Sequence, residues 1–202
     1  MALPSMHRVS VHAMYYKIAM EQAARYRMLN DELTDLQTRG IAEEEIGETQ
    51  SRIEACYEQR EQAAVIAITF SGMSLEAFFY DYAADALGDE YVKAHLDKLD
   101  LKSKFVVYPQ LVCGKAPDKS KKAYGSLHKL VSLRNDLVHF KSKAFKMEEL
   151  HKAADFHSEL NQKLETGVGN AVKCVMLVME ELDALHGGIH FFTLRMQWSV
   201  DP

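Results

Sequence analysis

Four side chains suited to proton transfer and anion binding fall within six positions of this chain: Arg134, Asn135, Asp136 and His139. They lie in the stretch Ser132-Leu133-Arg134-Asn135-Asp136-Leu137-Val138-His139-Phe140-Lys141. Imidazole suits an acid or base because its unperturbed pKa, about 6.5, lies near working pH. Guanidinium suits a charged oxyanion because its planar fork stays protonated and meets phosphate oxygens in pairs. His139 is therefore the candidate acid or base and Arg134 the candidate anion stabiliser, with Asn135 and Asp136 as supporting polar groups.

These residues need an element to hold them, and Leu133, Leu137 and Phe140 recur at helical spacing. The stretch is read as a helix with an apolar stripe turned inward. At about 100° per residue, Asn135 and His139 share a face, whereas Arg134 and His139 point about 140° apart. Either the length of arginine closes that gap or a second chain does. The plainer alternative makes His139 an ordinary cation near a helix C-terminus, with Asp136 paired to a nearby lysine.

The Arg-Asn-x-x-x-His pattern resembles the signature of the HEPN superfamily. Two upstream segments resemble stretches frequent in the same proteins and occur in the expected order: Ser74-Leu75-Glu76-Ala77-Phe78-Phe79 and Leu101-Lys102-Ser103-Lys104-Phe105. Together the resemblance covers roughly residues 60 to 145. It implies a small helical domain, commonly a symmetric dimer, whose active members are metal-independent RNA endonucleases and often toxins or defence proteins. In that chemistry a base takes the ribose 2′-OH proton, a cation steadies the pentavalent phosphorane, and an acid protonates the leaving 5′-oxygen. The products would be a 2′,3′-cyclic phosphate and a 5′-hydroxyl. One chain supplies one histidine in the motif, one proton-transfer group short, and two-fold pairing would bring two arginines and two histidines around one cleft.

Glu76 lies in a strongly apolar part of the chain, where an unpaired carboxylate is costly to bury. It is expected to orient Arg134 or a motif side chain of the dimer partner; the alternative is a partly exposed helix residue. Some HEPN toxins paired with a nucleotidyltransferase antitoxin carry a tyrosine two residues after the histidine, which receives nucleotide. Lys141 stands there instead, which puts that regulation in doubt, although an antitoxin or nucleotidyltransferase partner encoded nearby stays in view. Tyr80 likewise replaces an asparagine common in the Glu-Ala-Phe segment. The rival reading is a non-catalytic HEPN-like module that binds RNA or nucleotide, or serves in assembly.

Charge is unevenly spread. Residues 1–100 carry 9 basic and 18 acidic side chains, 101–150 carry 11 and 4, and 151–202 carry 4 and 7, for a net charge of -5. The one basic segment holds the motif, the footprint expected of a phosphate-binding face or of a solvated lysine surface. Lys104, Lys121, Lys122, Lys141 and Lys143 are the candidate RNA contacts. Cys56, Cys113 and Cys174, odd in number and widely spaced, read as reduced thiols in a cytoplasm. The N-terminus has no long apolar run after its first basic residue, unlike a secretory signal. The longest apolar run, Ala63 to Leu75, is too short to span a bilayer.

With 202 residues and 48% hydrophobic content, one domain can bury roughly 70% of its unfolded surface. Helices are expected over about Met6–Gln37, from Gly47 to Leu87 with Gly88 as its stop, over Asp89–Leu99, and from Leu101 towards Cys113 with Pro109 disturbing it. A loop follows over Gly114–Tyr124, then the motif helix over Ser126–Phe140. Two more helices, Met147–Leu164 and Ala171–Leu185, are separated at Gly167-Val168-Gly169. The fold is read as all-α, an up-down bundle of HEPN type with a core over about residues 50–185. A long N-terminal helix occupies 1–40, and a tail after Gly187-Gly188, irregular or a short strand, fills 188–202. No cofactor loop is recognised. The only histidines at metal-pair spacing outside the motif, His186 and His190, flank two glycines, so no metal site is expected. Phe78, Phe79, Tyr80 and Tyr82 offer faces for base stacking but sit in a helix apolar enough to be core.

Overall fold

Long apolar stripes at helical period, punctuated by glycines, produce six helices and no strand among the described residues. The computed structural model describes residues 10–39, 45–139 and 149–188. The helices are α1 His12–Thr38, α2 Ile46–Leu87, α3 Asp89–His95, α4 Leu101–Cys113, α5 Lys122–Val138 and α6 Leu150–Leu185. The all-α bundle expected from the sequence is what forms.

α2 is the spine, touching each of the other five. α1 folds back along it as an antiparallel hairpin, held at the surface by Arg25 to Gln59 (2.9 Å) and Arg52 to Glu32 (2.9 Å). The start of α1 is pinned where the Ser74 hydroxyl donates to the His12 carbonyl at 2.8 Å. Ala63, Ala64, Ala67 and Ala83 are sealed along α2, and such short side chains let neighbouring helices approach closely. Phe79 meets Phe105 and Tyr108 at ring-centroid distances of 6.0 and 6.2 Å, carrying the core from α2 into α4. Phe78, Phe79 and Tyr82 are thus core, while the Tyr80 hydroxyl donates to Asp89 at 2.7 Å.

Gly88 (φ 90°) ends α2 and Gly114 (φ 73°) ends α4, both in conformations that cost glycine little. Asp100 caps α4, accepting from the backbone N–H of Lys102 at 2.9 Å and of Ser103 at 3.0 Å. Those bonds, the Ser103 N–H foremost, hold its carboxyl below the usual range.

Two expectations are corrected. Pro109 does not interrupt α4; it is buried inside the helix, which runs on to Cys113. Gly167-Val168-Gly169 is no break, because α6 is continuous for 36 residues. Gly167 is buried against α5 and α2, and packing of that face outweighs the roughly 1 kcal/mol by which glycine weakens a helix interior. The expected stop at Gly187 and Gly188 is real, both having positive φ, while the tail after Gly188 lies outside the described residues.

α2 is also the one described helix long and apolar enough, by length and composition, to cross a membrane, which its thirteen-residue apolar run had not suggested. Of the window that qualifies, 56% is buried inside the bundle.

Candidate functional site

α5 is amphipathic along its whole length. Ala123, Leu127, Leu130 and Val131 turn inward, and Arg134 follows Leu127 by seven positions and Leu130 by four, so it belongs to the inward stripe. His139 follows Ser132 by seven and Asn135 by four, and all three are exposed. The motif therefore splits, with arginine on the core side of the helix and histidine on the solvent side. They are about 7.5 Å apart along the axis. His139 is also the residue at which α5 stops, its N–H bonding back to the Asn135 carbonyl at 2.9 Å.

An arginine directed inward needs both room and an acceptor. Room comes from Gly72 on α2: a Cβ there would stand 2.8 Å from Arg134 Cδ and 3.3 Å from Nε, inside contact distance. The acceptor comes one turn later, where Glu76 Oε1 receives Arg134 Nη1 at 2.9 Å. The stem lies over the glycine and the head reaches the surface beside the carboxylate, as long basic side chains do at a core edge. The Arg134 side chain is 24% exposed and that of Glu76 40%. Nε is buried without an acceptor among the described residues, and within them the guanidinium is held by the Nη1 bond alone. The expected orientation of Arg134 by Glu76 is present within a single chain, with Glu76 at the rim of the core.

α6 completes the cradle. Ser126 Oγ donates to Asn170 Oδ1 at 2.6 Å and Asn170 Nδ2 donates back to the Ser126 carbonyl at 3.1 Å. Further along, Leu133 Cδ2 lies 2.1 Å from where a Cβ on Gly167 would be. Consecutive motif residues, Leu133 and Arg134, thus each face a glycine on a different helix.

The lysines divide. Lys104 is buried, its Nζ 3.8 Å from Asp97, which withdraws it from any phosphate face. The pattern Leu101, Lys104, Phe105, Tyr108 already carried that signal, since it marks one inward stripe. Lys121 donates to both carboxylate oxygens of Glu181 at 3.0 Å. Lys122 is exposed, but it and Lys121 begin α5, about 25 Å along the helix from His139. Neither shares a pocket with His139 in one chain. Asn135 and Asp136 are exposed on the histidine side, and Lys141 and Lys143 lie outside the described residues.

Sequence reasoning passed over three features. Gly72 carried no local signal beyond a glycine inside a helix. His128 is exposed eleven positions before His139, three turns on the same stripe, so spacing alone marked it. At the start of α1, Asp81 accepts from the Ser10 hydroxyl, and His12 Nδ1 lies 3.4 Å from the same carboxylate. Ser10 and Asp81 both meet Nδ1 rather than opposite ring nitrogens, so these three residues do not form the relay of a serine nucleophile.

Elsewhere, the Tyr82 hydroxyl and His186 Nε2 share a 2.8 Å bond, and burial holds the His186 imidazole below its ordinary pKa. Cys56 and Cys174 are buried free thiols, and burial pushes that of Cys174 up to about 12. A cleft of about 670 Å³ runs between α1 and α6, lined by Tyr16, Met20, Tyr26, Glu165, Val172 and Met176 among others. No residue of α5 reaches it. Among the described residues, no group of three or more histidine, cysteine or acidic side chains is arranged to hold a metal.

Comparison of the chain with models of protein families, with curated proteins and with solved structures produced no match.

Proposed function

We propose that this chain is a HEPN-type endoribonuclease that cuts RNA without a metal ion, as a cytoplasmic toxin or defence effector acting as a homodimer. The observation that carries the reading is Arg134: an arginine in an inward stripe, lying over Gly72 and held by Glu76, with its head at the surface. A cation fixed beforehand stabilises developing phosphorane charge without reorganising, the property that makes such donors effective. His139, exposed at the end of the same helix, is free to exchange a proton with a 2′-OH or a 5′-oxygen.

Arg134 and His139 diverge around α5, so the reading requires a second copy to set a histidine opposite an arginine across a two-fold axis. An antitoxin encoded nearby would restrain the dimer. The test is cleavage of RNA in EDTA by purified protein, with 2′,3′-cyclic phosphate ends, and growth arrest on expression that is relieved by His139→Ala. The same divergence of Arg134 and His139 favours a second reading, a non-catalytic module that binds RNA or nucleotide. It takes over if the dimer binds varied RNAs and leaves every one intact.

A further inference from the structure

Two helix-interior glycines face the motif, and they differ in what they touch. We infer that Gly72 is a positioning residue: by lacking a side chain it fixes where Arg134 lies, and hence where its guanidinium is presented beside Glu76. The inference rests on the ribonuclease reading for its effect on catalysis, but not for its effect on stability.

Glycine is the poorest helix former after proline, and alanine in its place ordinarily strengthens a helix. Gly72 lies in the middle of α2, in one of the most thoroughly buried parts of the chain, where alanine predominates among the small residues. The three heavy atoms nearest to a Cβ at position 72 all belong to one side chain. The atoms it meets are Arg134 Cδ at 2.8 Å, Nε at 3.3 Å and Cγ at 3.8 Å. The atom that must yield therefore belongs to a long, flexible side chain. Alanine at 72 is accommodated by moving Arg134, not by moving α2. Because among the described residues the guanidinium's one hydrogen-bond partner is Glu76, met through Nη1, displacing Cδ draws the head off that anchor.

Gly167 shows the contrasting case. A Cβ there would fall 2.1 Å from Cδ2 of the half-buried Leu133 and 3.2 Å from Cδ1 of the fully buried Ile68. Side chains from two helices, α5 and α2, would have to yield at Gly167, whereas one long side chain yields at Gly72. Gly169, two positions on, has nothing within 4 Å and provides a control in the same helix.

The experiment is a cycle of Gly72→Ala and Arg134→Ala, read by thermal unfolding of the full chain. In the Arg134→Ala background, Gly72→Ala raises Tm by about 2–4 °C, the gain expected when a helical glycine becomes alanine in a chain of this size. In the wild-type background that gain is absent or reversed. Gly169→Ala raises Tm in both. Equal shifts from Gly72→Ala in the two backgrounds would show that the residues do not meet and would overturn the inference.

The catalytic arm compares cleavage rates. Gly72→Ala lowers kcat at least about tenfold with KM near wild type, because a misplaced cation costs the transition state more than it costs binding. Combined with Glu76→Gln, it lowers kcat little further. A coupled cycle in a chain that never cuts RNA keeps the seat and ends the ribonuclease reading. Wild-type cleavage that Gly72→Ala leaves untouched ends the positioning role and keeps the ribonuclease.

Discussion

α2 carries two carboxylates five positions apart that each hold down another part of the chain, and they do so in opposite styles. Asp81 gathers Ser10 and His12 at the start of α1, where the His12 side chain is only 6% exposed and a second bond, Ser74 to the His12 carbonyl, closes the joint. Glu76 holds Arg134 by one bond at the rim, where the arginine side chain is 24% exposed and its buried Nε has no acceptor among the described residues. A buried polar joint with its partners in place serves the fold, since leaving any member unsatisfied costs the full desolvation penalty. A cation held by one bond at a rim contributes little to stability. On the proposed reading the Asp81 joint serves folding and the Glu76 pair serves function, a division that can be tested from both sides.

The largest effect falls on the pair and its helix. Arg134→Ala or His139→Ala lowers RNA cleavage by about 10²–10⁴-fold with helix content unchanged by circular dichroism. Loss of helix alongside activity would move Arg134 to the structural side of the comparison. Next comes Asp81→Ala, which strands His12 and lowers stability by about 1–3 kcal/mol in denaturant titration, while cleavage per folded molecule holds. Smaller again is Glu76→Gln. It keeps the shape of the side chain but loses its charge, lowering cleavage roughly tenfold and stability by less than about 1 kcal/mol. A stability loss as large as that of Asp81→Ala would erase the contrast.

The smallest effect is a pH dependence at the far end of the bundle. Burial holds the His186 imidazole below its ordinary value, so the unfolded chain takes up the proton more readily. The stability this group contributes is complete above about pH 6.5 and declines as acid carries the pH below that, towards the folded value. His186→Gln, which can still accept from Tyr82, should flatten the slope of Tm against pH between 5 and 7 and leave cleavage unaltered.

Much of this arrangement could be read from the chain alone, for reasons visible in particular residues. Glu76 stood in an apolar run where a carboxylate needs a cation, and Arg134 is the cation it has. The 140° divergence between Arg134 and His139 followed from helical geometry and persists in the fold. For Lys104 the charge of its segment points to a phosphate face, while its place in the inward stripe puts it in the core. Glycines at 167 and 169 point to a break because glycine's cost is local and legible, whereas the benefit of Gly167 lies in Leu133, more than thirty positions away. The Ser10, His12 and Asp81 joint spans 71 positions and has no periodic trace at all.

One separation along the chain has a consequence for synthesis. Glu76 and Arg134 are 58 residues apart, and every residue between them, α3 and α4 included, must leave the ribosome before the guanidinium can reach its carboxylate. A nascent polypeptide therefore cannot assemble the pair while its first two helices are emerging. On the proposed reading, the site would stay inert until translation has passed the fifth helix.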